Sequence, residues 1–434
     1  MQKVYANTYF NISAAHSENS HGGCFSDRLA YKITPCPYAA PNLGQVYLVP
    51  RFGLTRPLVE AHIASRAWVV QERFLSPRKL HFTDEQMFWE CPGMYACETF
   101  PRGIPAVYEE FDGHYRTSAR VLSNNDRSPI YKIWGRLCED YSLAALTYTS
   151  DRLIAFAGIV ADFGNRLPND TYLAGLWKGD LMEGLLWKAR ALDGWPNQPN
   201  GSHELNATPY ITASVPSSYR APSWSWLGSD CSIWWQRKKR HSPRSLVEIL
   251  DVSIELVDEV EPARDMKGGY IVLEGHLRVA QWVQSGEYTS IVLDGKSGPQ
   301  LLSSSDDICA NCHFTVQRDT GTEFPVQDIF LLPLRMSLPS GGPTHGTMIF
   351  EGLVLAPTGK ENEYQRLGHF EALGEGNCRA VLYEALPAAQ EFSQPWRSLT
   401  PLLTEEHRVQ GDGLGGQYDD DFFREVAKHV ITLI

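Results

Sequence analysis

No stretch of about 18 consecutive apolar residues occurs in the 434-residue sequence, so no segment reads as a membrane-spanning helix. Basic charge is also scarce. Thirty-nine Lys and Arg stand against 51 Asp and Glu, a net charge of −12, which argues against a general nucleic-acid binder. The N-terminus, MQKVYANTYFNISAAHS, lacks an unbroken apolar core and does not read as a signal peptide. Its nine cysteines are odd in number and sparse, which fits reduced cytosolic thiols better than a disulfide framework. The Asn-x-Ser/Thr matches at Asn11, Asn169, Asn200 and Asn206 then read as chance matches. There is no internal repeat, no G-x-S-x-G nucleophile elbow and no H-E-x-x-H helix. The glycine pairs at 22–23, 268–269 and 415–416 do not match a phosphate-cradling loop. No cofactor or metal is called for.

Tryptophan, by contrast, is abundant, with 12 residues, and predicts large aromatic clusters. The densest information lies in Ser65–Cys91, SRAWVVQERFLSPRKLHFTDEQMFWEC. Here Trp68, Gln71, Glu72, Arg73, His81, Gln86, Trp89 and Glu90 are set among apolar residues. Burying neutral polar groups without partners costs roughly 2–7 kcal/mol each, so a chain that keeps so many together specifies a fixed polar arrangement.

Periodicity divides the chain. Residues 1–60 mix strand-like pieces with turns; Tyr5, Phe10 and Ile12 lie among β-formers. Val59, Ile63 and Ala67, four apart, predict a helix or helix–loop through to Ser76. Leu80, Phe82, the turn at Thr83-Asp84-Glu85, then Met87 and Trp89 predict a hairpin. Helices are expected after Pro129, with Ile133, Leu137 and Tyr141 on one face, and after Ser150 as N-cap, with Gly164 as a stop. Leu173, Trp177, Leu181 and Leu185 extend the helical pattern to about 190. The Pro-, Asn-, Gly- and Ser-rich stretch that follows is a linker. From 246 onward strand patterns take over, predicting a barrel or sandwich. The tail is expected to begin an amphipathic helix on Phe422, Val426 and Val430. The expected organisation is α+β: 1–110, a helical segment 111–190, a Pro/Ser/Trp-rich connector 191–245, a β-rich domain 246–385, and a tail 386–434.

Each candidate site has a plainer counterpart. Cys309-Ala-Asn-Cys312-His313 matches the haem-attachment pattern, but two ordinary buried thiols explain it better. A zinc site there would need a second pair, and Cys91 with Cys97 is poorly spaced for one. Arg237–Arg240 fits a nuclear-import or anion-binding patch, or a solvated basic loop. Glu72 and Glu90 would serve as acid and base if burial shifted them, or, with Arg66, Arg73, Arg78 and Lys79 nearby, as struts of an ion-pair network. The strut is the commoner arrangement. Trp224 and Trp226, two apart on a strand, would share a face as a packing plug rather than a ligand cage.

These stretches together resemble the fungal heterokaryon-incompatibility (HET) domain proteins. The resemblance is carried by RAWVVQERFLSPRKLHF, QMFWEC, DRLIAFAGI, YLAGLWKGDLMEGLLW and YRAPSWSWLGS, and less specifically by FLLPL, GLVLAP and YQRLGHFE. It implies a role in self/non-self recognition and incompatibility cell death, exerted through protein contacts in the cytoplasm. Trp68, Gln71, Glu72, Arg73, Trp89 and Glu90 would form the structural core of an effector surface. The family's distant similarity to TIR domains implies a rival, an NAD-cleaving hydrolase in which Glu72 stabilises positive charge at the ribose. Family members carry an ALSYxWG-like strand and an IDxLCIxQ-like strand and helix before the Met-x-x-Val-Tyr step. This sequence begins at that step, so the resemblance implies a domain lacking its N-terminal part and, with it, the strand ends where an α/β nucleotide site would form. A third reading is a ligand-binding β domain at 246–385.

Overall fold

The alternation around Thr83–Gln86 forms the hairpin its pattern predicts. The computed structural model describes residues 2–49, 54, 56–105, 128–190, 216, 218–235, 241–257, 265–285, 288–293, 300–302, 314–318, 328–338, 349–373 and 428–434. They divide into two units, Met1–Tyr172 with Asp258–Asp265, and Leu173–Val257 with Met266–Ile434. Helices and several sheets are both present, a mixed α+β architecture.

In the first unit β1 (Asn11–Ser13), β2 (Lys79–Phe82), β3 (Met87–Cys91) and β4 (Met94–Cys97) form one sheet in that order. β1 runs parallel to β2, and the remaining pairs are antiparallel. Helix α1 (Ala67–Leu75) precedes the hairpin. It stops where Ser76 turns its N–H and hydroxyl onto the Glu72 carbonyl, at 3.2 and 2.7 Å, and Pro77 forbids another turn. Helices α2 (Ser128–Leu143) and α3 (Ile154–Arg166) complete an aromatic core. Trp134 meets Phe156 and Phe163 edge-on at 5.3 and 4.9 Å, and Phe74 of α1 stacks on Phe163 at 5.7 Å. Gln71 of α1 accepts the Gly158 N–H of α3 at 2.7 Å. Glycine permits this close approach, because a Cβ at 158 would stand 2.3 Å from the Gln71 Oε1, which would have to shift. A smaller cluster of Leu54, Leu58, Phe88, Tyr95, Cys97 and Ile104 lies beneath β3 and β4.

Three expectations in this unit change. Gln2–Ala6 is a helix rather than strand-like, closed by Asn7, whose backbone and side chain both donate to the Lys3 carbonyl. The stretch before Ala67 is broken into a short helix, Arg56–Val59, and a single 3-10 turn, His62–Ser65. α3 begins at Ile154 after a 3-10 turn, Thr149–Arg152, and runs past Gly164 to Arg166.

The second unit is built on an eleven-stranded sheet. Its strands are β5 (His241–Ser245), β6 (Glu248–Leu256), β7 (Met266–Gly275), β8 (Arg278–Ser285), β9 (Tyr288–Leu293), β10 (Gln300–Leu302), β11 (Phe314–Arg318), β12 (Ile329–Leu338), β13 (Ile349–Pro357), β14 (Glu363–Leu373) and β15 (His429–Leu433). The order is β6-β7-β15-β14-β13-β12-β8-β9-β10. It branches at β12, which also pairs with β5, and at β14, which also pairs with β11. β13 is buried along all but its last residue, as its largely apolar sequence requires of a central strand, with Glu351 its one charged residue. Pro333 sits in β12 beside a register shift, where a missing N–H is tolerated.

The helical reading of Leu173–Leu185 fails. Tyr172–Leu173 and Leu176–Trp177 pair as short strands, and only Leu181–Gly184 is α-helical. Ala174 and Gly175 turn left-handed between those strands, with φ of 46° and 94°. The tail's end, His429–Leu433, is a strand inserted between β7 and β14, not the last turn of a helix. The earlier part of that expected helix, the linker 191–215, the end of the expected β-rich domain at 374–385, the Cys309–His313 pattern and Arg237–Arg240 lie outside the described residues. Among the described residues no helix is long and apolar enough to cross a membrane.

Candidate functional site

A turn at 83–86 sets Lys79 opposite Glu90 and His81 opposite Phe88. Strand alternation then places Lys79, His81, Phe88 and Glu90 on one face of the sheet. From α1, Arg73 reaches the same face. Its Nε donates to Glu90 Oε2 at 3.1 Å, and its Nη2 pairs with Oε1. Lys79 Nζ lies 3.6 Å from Glu90 Oε2 and donates to the Arg73 carbonyl at 3.0 Å. His81 Nε2 is 3.4 Å from Glu90 Oε2. One carboxylate therefore faces three basic groups, in a setting where Lys79 and His81 are buried.

The electrostatics follow from that count. Burial alone would raise the Glu90 carboxyl, but Arg73, His81 and Lys79 overcome it and hold it well below the usual carboxylate range. Burial lowers both His81 and Lys79, and the Glu90 charge only partly restores them. Arg73 moves up despite burial, because Glu90 is its bidentate partner. Such a carboxylate has no basicity left for proton abstraction at neutral pH.

Glu72 stands apart from this quartet. Burial raises its carboxyl, opposed by a hydrogen bond with Tyr5 and by the charge of Arg66. Tyr5 is in turn pushed up to about 12, first by burial and then by Glu72. Gln71 is buried and committed to Gly158. Gln86 is buried in the hairpin turn, where its side chain receives the Thr99 N–H at 3.2 Å and the Thr99 hydroxyl at 3.0 Å. Trp68 is half-buried, and Trp89 lies half-buried on the sheet face opposite the quartet, across from Leu80. The structure thus joins Arg73, His81 and Glu90 and leaves Trp68, Glu72 and Trp89 outside the cluster.

Lys79 is among the nearby cations that the sequence names, and the turn at 83–86 sets it opposite Glu90. Tyr5, outside the quartet, reads as strand-like in the sequence, and its link to Glu72 is not foreseen there.

Trp224 and Trp226 belong to the second unit and are fully buried. They lie in a turn rather than a strand, ending in the 3-10 segment Trp226–Gly228. Arg220 braces that turn from Nε to the Leu227 carbonyl at 2.6 Å, and from Nη2 to Ser229 O at 3.0 Å and Asp230 Oδ1 at 2.7 Å. Trp226 Nε1 donates to Gly175 O at 3.0 Å, and the Ser225 hydroxyl bonds Ala174 O. Those two bonds fix the left-handed turn that breaks the expected helix. Trp187 Nε1 donates to Trp224 O at 3.0 Å, and the Arg366 guanidinium lies 3.6 Å over the Trp187 ring. Arg366 also donates to Leu185 O and Trp187 O, both at 2.6 Å.

The second unit holds its own ionic row. Register aligns Arg335, Glu351 and Glu371 across β12, β13 and β14. Arg335 chelates Glu351 and pairs with Glu183, while Lys188 Nζ spans Glu351 at 3.6 Å and Glu371 at 3.0 Å. Among the described residues no group of three His, Cys, Asp or Glu is arranged to hold a metal. Comparison with protein-family models, with curated proteins and with solved structures finds no match for this chain.

Proposed function

We propose that this chain is a HET-like protein of fungal heterokaryon incompatibility, acting through protein contacts rather than by catalysis. The observation that supports the contact-based reading is the closed quartet: the acidic residue at the centre of the Ser65–Cys91 motif is consumed by Arg73, Lys79 and His81. A carboxylate held by three basic groups braces a surface and is not free to serve as an acid or a base. The family part of the proposal rests on RAWVVQERFLSPRKLHF and RAPSWSW, the most specific of the matching stretches.

The NAD-cleaving alternative would need Glu72 as a free anion. Its carboxylate is instead engaged by a hydrogen bond with Tyr5 and by the charge of Arg66, which weighs against a free role at a ribose. Two measurements test the proposal together. Induced expression in a filamentous fungus should reduce viability in an incompatible background, and Glu72→Gln should leave that effect intact. Purified chain should not turn over NAD. Turnover abolished by Glu72→Gln, with circular dichroism unchanged, would replace the contact reading with the hydrolase. Full viability in every background tested would remove the incompatibility role.

A further inference from the structure

We propose that the gap between β7 and β14 is an acceptor site for an extended peptide with branched apolar residues two apart, and that the chain's own β15 is its removable occupant. β15 lies antiparallel to β7, with Ile271 opposite Leu433 and Leu273 opposite Ile431. All four side chains are buried, so the gap offers two apolar seats at the spacing a strand presents. Val430, on the other face, is exposed. Thr432 and Ile434 donate their N–H groups to the Asn362 and Tyr364 carbonyls, at 2.8 and 3.0 Å. Alternation turns the N–H groups of Ile431 and Leu433 towards β7. At the far end Ser223 holds the Ile434 carbonyl with its N–H, at 3.1 Å, and with its hydroxyl, which itself accepts the Arg366 N–H at 2.9 Å. The site thus engages main chain along both edges, side chains at two positions and one carbonyl at its end.

Two observations mark β15 as an insert. Its pairing with β14 covers only Glu363 with Thr432 and Tyr364 with Leu433, and it is the one parallel pairing of this sheet among the described residues. No tight turn ties it to either neighbour, since β7 ends at Gly275 and β14 at Leu373. Among the described residues, main-chain pairing joins β6 and β7 to the rest of the sheet only through β15. Its departure therefore uncovers two strand edges at once. Such edges take up an extended peptide by main-chain pairing, and side-chain seats then select its sequence. The seated strand shows the chemistry required, because Val430–Ile434 carries no charge. A carboxylate at 431 or 433 would be buried against Leu273 or Ile271 with no counter-charge opposite it. This inference does not rest on the HET-like reading, and either can fail without the other.

The test adds a fluorescently labelled peptide of residues 428–434, KHVITLI, to the whole chain. Wild-type chain should bind it weakly, because the resident strand competes at an effective concentration on the order of millimolar. Ile431→Asp in the chain expels the resident strand, so the peptide should bind about tenfold or more tightly. The same substitution in the peptide should abolish that gain. Bound peptide should slow amide exchange over Ile271–Gly275, which locates it in the gap. A further measurement needs no variant to fold. In wild-type protein the Thr432 and Ile434 amides should exchange about tenfold or more faster than those of β13, because β15 leaves without global unfolding. Equal peptide binding by wild type and a folded Ile431→Asp chain, or none by either, would overturn the proposal. So would β15 amides that exchange no faster than β13, and that comparison decides alone if Ile431→Asp does not fold.

Discussion

The two units solve the burial of charge in opposite ways. The first surrounds one carboxylate, Glu90, with Arg73, Lys79 and His81. The second sets three carboxylates, Glu183, Glu351 and Glu371, around two cations, Arg335 and Lys188. A basic excess made of Lys and His can be relieved by losing a proton, and burial lowers both His81 and Lys79 accordingly. Arg335 has no such option and moves up, its burial outweighed by Glu351 and Glu183. The first cluster therefore has a single acid in direct ion pairs, with Asp140 adding only its charge near Arg73, while the second divides its pairing among several.

That contrast is most readily broken by Glu90→Gln. Arg73 and Lys79 would then stay buried without their counter-charge, at a cost of about 3–5 kcal/mol. Amide exchange across Lys79–Cys91 should show the loss, with β12–β14 unaffected. Glu351→Gln should cost less, about 2 kcal/mol measured on β13 amides, because Arg335 keeps Glu183 and Lys188 keeps Glu371. If the two losses came out equal, the distinction between one acid and several would have no energetic content. Smaller again is Gly158→Ala. Its methyl would meet the Gln71 Oε1, so α1 and α3 should separate slightly, with about 1–2 kcal/mol lost in thermal or chemical denaturation.

Acidity sharpens the comparison with a subtler effect. Because burial lowers His81 in the folded chain, the unfolded chain takes up that proton first as pH falls. The stabilisation from neutral His81 is complete above its unfolded value of 6.5 and is lost as pH drops below it. Glu90 acts in the same sense further down: its contribution is present above 4.5 and disappears as pH falls towards its depressed folded value. The first unit should therefore lose stability in two stages on acidification. His81→Gln should flatten the first stage in a pH series of denaturation midpoints and leave the second.

Much of this arrangement was legible in the residues. Alternation located β2 and β3, a 3.6-residue period located most of α2 and α3, and apolar runs between turn residues located β12, β13 and β14. Of the two acids read as possible struts, Glu90 is the one paired with Arg73, and Glu72 lies outside that cluster. What escaped was set by distant contacts. Leu173, Trp177, Leu181 and Leu185 keep a helical spacing, but Ser225 and Trp226 capture the Ala174 and Gly175 carbonyls and turn the chain away from a helix. Trp224 and Trp226 read as a strand pair because nothing in their spacing announces Arg220 as a brace across the turn. β4 was missed because its alternation covers only Met94–Cys97.

The clamp between the Trp-rich turn and the Ala174–Gly175 turn has a consequence for how the chain tolerates cutting. Lys188–Ala189 pairs with Ile233–Trp234, Arg190 N–H donates to Ser232 O at 2.8 Å, and Trp226 holds Gly175, so both ends of the intervening segment are pinned by bonds outside it. A break in the covalent chain between Arg190 and Ser218 would leave the two pieces held together. The second unit is in this sense already built to be assembled from two fragments.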